Sequence, residues 1–160
     1  MNIEYKRTTY QNASLVEKAQ LLVLMRELWF YESFIIYKRV LTYDDKHLNA
    51  FLLNMIKEAQ SLVVALSAGS PIGLVMGSVE DDPDNFHISI ITVNEAFRSK
   101  GIGKKLLSFV KSTCKTKTIS LGTLEDNTSA RRFYEANGFV FNEPPYKVNK
   151  AFNVRGVLTV

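Results

Sequence analysis

Residues 86–114 read FHISIITVNEAFRSKGIGKKLLSFVKSTC, and the passage within them from an apolar run through a glycine-containing turn into an amphipathic pattern decides how the rest is read. Phe86, Ile88 and Ile90 alternate with other residues before the run turns continuously apolar toward Val93, as in a central strand covered on both faces. After the polar stretch 94–100, Ile102, Leu106, Leu107, Phe109 and Val110 fall on one side of a helix, with Lys104, Lys105, Ser108 and Lys111 on the other. Arg98-Ser99-Lys100-Gly101-Ile102-Gly103 therefore lies at a helix N-terminus, whose first N–H groups lack intrahelical partners. Glycine admits close approach of an anion, the helix dipole favours negative charge, and Arg98, Lys100, Lys104 and Lys105 add positive potential. A pyrophosphate-bearing ligand suits this turn, but so far a tight turn ahead of a solvated basic face suits the spacing equally. Two better-known phosphate loops do not fit: Leu106 occupies the third-glycine position of the dinucleotide fingerprint, and Arg98 the upstream-glycine position of the P-loop.

The chain has 160 residues, 46% of them hydrophobic, which suits one domain over residues 1–160 with a substantial core. Its net charge of +4 accommodates an anionic ligand but does not by itself imply nucleic acid. The single cysteine, Cys114, excludes an intramolecular disulfide and suits a reducing, cytoplasmic setting; it reads as a small core residue rather than a nucleophile. His47 and His87, far apart, with one cysteine, make no metal-ligand set. MNIEYKRTTY at the start has no apolar core, and no stretch is long enough to cross a bilayer, so no membrane partner is expected.

In chain order, residues 2–9 suit a first strand, and Ser14-x-x-Glu17 forms a capping box that starts a helix near Ser14. Residues 21–25 are apolar on every side, so other elements or a partner chain, as in a homodimer, should cover them. Trp29, Phe30, Tyr31, Phe34 and Tyr37 follow; they suit helix core and a connecting turn, or the wall of a ligand site. Thr42 with Asp45 marks the start of a second helix reaching about Ala59. Residues 61–67 and 72–80, joined by Ala68-Gly69-Ser70-Pro71, predict a hairpin. The acidic turn 80–85 leads into the central strand. A strand over 117–122 then follows the helix and, by strand-helix-strand crossover, runs parallel to 86–93. Asn127 or Thr128 caps a short helix that Gly138 ends. Residues 139–142 begin a strand that Pro144-Pro145 breaks, and 151–160 form the last strand.

Two segments carry a resemblance. Residues 93–103, VNEAFRSKGIG, resemble the Arg/Gln-x-x-Gly-x-Gly/Ala segment of the GCN5-related N-acetyltransferase (GNAT) superfamily. Residues 127–139, NTSARRFYEANGF, resemble its Asn-x-x-Ala-x-x-Phe-Tyr-x-x-x-Gly-Phe signature. Asn94 stands where many members carry proline. The resemblance implies an α/β fold: a mixed, mostly antiparallel sheet of six to seven strands, about four flanking helices, and a parallel strand pair forming an acyl-CoA crevice. It implies acetyl-CoA as acyl donor, no metal, and a small-molecule or peptide amine as acceptor, with no nucleic acid. It further implies that the backbone of Ile91, Thr92 and Val93 pairs with the pantetheine arm. Arg98, Ser99, Lys100, Gly101, Ile102, Gly103 and Lys104 hold the pyrophosphate, Asn127 reaches the cofactor, and Tyr134 protonates the leaving sulfur. Phe133 and Tyr134 point about 100° apart on a helix, so only one can face the crevice. Glu80 and His87 are candidate bases acting through water, although a solvated turn carboxylate and a half-exposed strand residue describe them equally. The competing functional class is a non-catalytic acyl-CoA-binding module. A nucleic-acid domain using the basic patch ranks below both.

Overall fold

The capping box closes reciprocally: the Ser14 N–H donates to Glu17 Oε2 at 2.8 Å and the Glu17 N–H to Ser14 Oγ at 3.1 Å. The helix it starts, α1 (Leu15–Tyr37), follows strand β1 (Ile3–Thr8) and precedes α2 (Asp45–Glu58). In this computed structural model the described residues are 2–9, 11–37, 45–79, 81–148 and 151–160. The expected start of α2 at Thr42 and the candidate base Glu80 lie outside them.

Strands β2 (Ser61–Ser67) and β3 (Ser70–Val79) form the expected hairpin, with a tighter turn than the four residues read from sequence. Ser67 pairs with Ser70, and the two residues between them take positive φ, 49° at Ala68 and 79° at Gly69. That two-residue turn matches the twist of the strands. Strand β4 (Asn85–Val93) follows, then a single 3-10 turn (Glu95–Phe97), α3 (Ile102–Thr113), β5 (Thr118–Leu124), α4 (Thr128–Glu135), β6 (Tyr146–Val148) and β7 (Ala151–Thr159). The seven strands make one sheet in the order β1-β2-β3-β4-β5-β7-β6, with β4 and β5 parallel and every other pair antiparallel.

The expected strand over 139–142 is a correction. Val140 makes one isolated bridge to Val157, and the Phe141 ring lies where a Cβ on Gly156 would stand, 2.8 Å away. This segment meets β7 through that one antiparallel bridge and extends no ladder from it. Pro144 and Pro145 have no N–H to donate, so the strand begins only after them, as β6.

Strand alternation divides the core. Val63, Ala65, Phe86, Ile88, Ile119 and Leu121 point to the face covered by Ile102, Leu106, Leu107 and Val110 of α3 and Tyr134 of α4. Leu62, Val64, Leu66, Leu74 and Met76 point to the other face, under Leu21, Leu24 and Met25 of α1 and Leu48, Leu52 and Ile56 of α2. Within the apolar stretch of α1, Val23 remains 56% exposed. At least part of its outer side is therefore not covered by the rest of the chain.

Candidate active site

The site begins with a bulge in β4. Met76 pairs with Ile90, but the next residue of β3, Gly77, pairs with Ile88, so Ser89 is the extra residue. A bulge moves every later side chain to the opposite face. Phe86 and Ile88 before it and Ile91 and Val93 after it thus all meet the α3 core, while Ile90 packs with the α1 core. Alternation in the sequence places Ile90 with Phe86 and Ile88; the bulge overrides that. Gly77 makes the bulge fit, because a Cβ there would stand 2.1 Å from the His87 carbonyl oxygen.

The parallel pairing of β4 with β5 runs only from Asn85↔Thr118 to Ile88↔Leu121. Both strands continue: β4 stays paired with β3 to Val93, and β5 with β7 to Leu124. The sheet therefore forks in its interior. Below the fork a polar network joins the strands. Ser120, fully buried, accepts from Asn85 Nδ2 at 2.9 Å and lies 3.1 Å from His87 Nδ1. His87 is thus fastened at the paired end of the strands, on the face opposite α3.

Beyond Val93 the chain is pinned. The Asn94 N–H donates to the Ile72 carbonyl at 2.8 Å, and Asn94 Oδ1 accepts from the Ala96 N–H at 3.1 Å. Proline at this position would forfeit the first bond, which gives the departure from the superfamily pattern a local reason. Arg98 Nε donates to the Val93 carbonyl at 3.0 Å, and Lys100 Nζ to the Ala96 carbonyl at 2.9 Å. Ser99 (φ 59°) and Gly101 (φ 77°) both adopt left-handed conformations, the geometry of backbone nests that concentrate N–H groups on an anion. The first bond of α3 runs from the Lys105 N–H to the Gly101 carbonyl; the N–H groups of Ile102, Gly103 and Lys104 thus have no intrahelical acceptor. Arg98, Lys100, Lys104 and Lys105 are all exposed around this turn.

The two glycines of the turn differ. A Cβ on Gly101 would meet nothing within 4 Å, whereas one on Gly103 would stand 3.0 Å from the Phe133 ring. Gly101 borders open space and supplies the positive φ. Gly103 instead lets α3 pack on α4.

On α4, Asn127 is buried and its Oδ1 caps the helix by accepting from the Ala130 N–H at 3.2 Å. Of the neighbouring aromatics, Phe133 lies under Gly103 and Tyr134 is the buried one, its ring centroid 5.3 Å from Phe133 and 5.8 Å from Phe139. It belongs to the cluster that contains Ile88 and Leu121, the last residues paired before the fork. Cys114 follows α3 as its half-buried C-cap, and burial pushes its thiol up, as for a packing residue.

Reading the sequence misses two residues on the α1 side of the fork. Glu27 of α1 accepts from Asn94 Nδ2, 3.3 Å from both carboxylate oxygens. Tyr146 of β6 places its hydroxyl 2.9 Å from where a Cβ on Gly122, the first β5 residue past the pairing, would stand. Glu27 has no signal beyond being one of two adjacent charged residues, with Arg26, in an otherwise apolar run, and Tyr146 is masked by the prolines before it. Of the aromatic segment, residues 29–37 are helical and Trp29 packs edge-on against Phe51 at 5.8 Å.

This fold, with a forked parallel pair and an N–H-rich turn at its mouth, is that of the GNAT acetyltransferases. Residues 23–139 match the model of the Acetyltransferase (GNAT) family, and the chain belongs to that family. It is 35% identical over 80 residues to the Probable N-acetyltransferase Rv2775 of Mycobacterium tuberculosis, a match covering 49% of this chain and 46% of the relative, so it spans about half that relative's length. Among solved structures, the PaiA N-acetyltransferase of Thermoplasma acidophilum in complex with coenzyme A superposes with a TM-score of 0.72 at 17% identity, over 100% of both chains. Aminoglycoside 6'-acetyltransferase type Ii superposes with a TM-score of 0.75 at 18% identity, over 98% of this chain and 96% of that one. At such identities the likeness establishes the fold.

Proposed function

We propose that this chain transfers the acetyl group of acetyl-CoA to a primary amine by direct attack of the amine on the thioester. The observation that carries this reading is the fork: an interior parallel pair that stops after Ile88 and Leu121 while both strands run on. Backbone groups facing such a gap need partners, and an extended chain of amides, such as a pantetheine arm, supplies them in the manner of an added strand. Acetyl-CoA contributes the activated thioester. Ile91, Thr92 and Val93 align its arm, and the N–H near Val93 donates to the carbonyl oxygen as negative charge develops there. The N–H groups of residues 99–104 hold the pyrophosphate, with Arg98, Lys100 and Lys104 adding charge. The Asn127 nitrogen, its oxygen committed to the helix cap, reaches the arm from the α4 side. As the C–N bond forms and the C–S bond breaks, the nitrogen loses a proton to solvent, while Tyr134 gives one to the departing sulfur, whose thiol has a pKa of about 8.5 in water, and recovers it from solvent.

The test is calorimetry with acetyl-CoA on the wild type and on Gly101→Glu, which fills the open space over the turn without touching Phe133. Binding by the wild type and loss in the variant support the cofactor site; thiol release with a panel of primary amines then supports transfer. Binding without thiol release from any amine favours the non-catalytic acyl-CoA-binding module. A wild type that does not bind removes both readings.

A further inference from the structure

We propose that Glu27 receives the acceptor as its ammonium, which gives up a proton to solvent before the free amine attacks, and that the Glu27 charge thereby sets a preference for cationic over neutral acceptors. The inference rests on the acetyl-transfer reading and names the substrate class and a residue for it.

The two faces of the sheet divide the work. The N–H-rich turn and its four exposed cations lie at the start of α3, so a donor held there approaches the fork from the α3 side. The acceptor must then come from the α1 side, where the turn is shielded by the sheet. On that side Asn94 follows Val93 directly, and strand alternation after the bulge points Asn94 toward α1 as it points Val93 toward α3. The Asn94 amide meets both oxygens of Glu27, which fixes the carboxylate one residue beyond the N–H assigned to the thioester carbonyl. Among the described residues Asn94 is the only hydrogen-bonding or ionic partner of Glu27, so the carboxylate is oriented but not neutralised. It is also exposed, so an incoming ammonium can reach it. Across the fork stands Tyr146, 43% exposed, its hydroxyl over Gly122. The opening therefore has a carboxylate on one wall and a phenol on the other, a pairing that suits an ammonium on an organic stem.

His87 competes poorly for this role, since it is fastened to Ser120 below the fork. Asn94 has its four polar groups committed to Ile72, Phe97, Ala96 and Glu27, so it holds Glu27 in place and cannot itself accept the amine.

The test is steady-state kinetics of the full chain with spermidine and with a peptide bearing a free N-terminus, comparing wild type, Glu27→Gln and Glu27→Asp. Calorimetry with acetyl-CoA is run on each. Losing the charge is expected to raise the amine KM about tenfold or more, leave the acetyl-CoA Kd within about twofold, and be partly rescued by Asp. A variant Gln enzyme with an unchanged amine KM overturns the proposal, as does a wild type that binds acetyl-CoA yet neither binds nor acetylates either amine. A wild type that fails to bind acetyl-CoA overturns the acetyl-transfer reading itself, and with it this one.

Discussion

Tyr134 and Phe133 are neighbours on α4 with different duties. Phe133 underlies Gly103 of α3, while Tyr134 is buried between Phe133 and Phe139 near the last paired residues of the fork. Tyr134→Phe keeps the ring and removes one hydroxyl. We expect turnover to fall about a hundredfold or more, the scale of a lost general acid, with acetyl-CoA affinity little changed. Equal turnover would sink the assignment. At this scale the sequence shows that the two rings must diverge, because adjacent helical residues point about 100° apart, but only packing decides which of them is buried. Glu27 was beyond sequence reading for a related reason: its partner Asn94 is 67 residues away, and nothing local marks the pair.

At the scale of the element, the bulge in β4 governs the site. Without an extra residue at Ser89, β4 would carry Ile90 on the α3 face and Ile91 and Val93 on the other, reversing the face of everything near the fork. The expectations for β4 as a strand, for its place in the sheet and for its parallel relation to β5 follow from apolar patterning and crossover chemistry. The bulge does not, because a run such as IIT fits either phase. Its enabling residue is Gly77, where a side chain would collide with the His87 carbonyl at 2.1 Å. That obstacle is backbone and cannot rotate away. Gly77→Ala should destabilise the fold by about 1–3 kcal/mol, the usual scale of overpacking, and should weaken acetyl-CoA binding although residue 77 lies on β3 and outside the proposed cofactor contacts. Urea denaturation and calorimetry measure both. A variant with wild-type stability and affinity would mean that β4 reaches its fork by some other device. Residues 139–142 show the same limit from the other side: they have strand chemistry, yet only Val140 bridges to β7, and the Phe141 ring lies over Gly156, a place visible only in three dimensions.

At the scale of the whole molecule, the proposed ligand contacts belong to three pieces that border the interior fork: β4, the turn before α3, and α4. A ligand bound across them stabilises the native state by mass action and leaves the unfolded chain unaffected. At about 100 times Kd that linkage amounts to about 2.7 kcal/mol, and a domain of this length gains about 2–4 °C per kcal/mol, so saturating acetyl-CoA should raise Tm by roughly 5–11 °C. Gly101→Glu should have a lower starting Tm, since residue 101 holds φ 77° and any L side chain is strained there. The informative quantity is therefore the shift on adding ligand, which should vanish in the variant. A thermal scan of both proteins with and without acetyl-CoA separates the two effects. An undiminished shift in Gly101→Glu would place the stabilising contacts elsewhere than the turn. A wild type with no shift at a saturating concentration would leave the fork without the ligand it is built to accept.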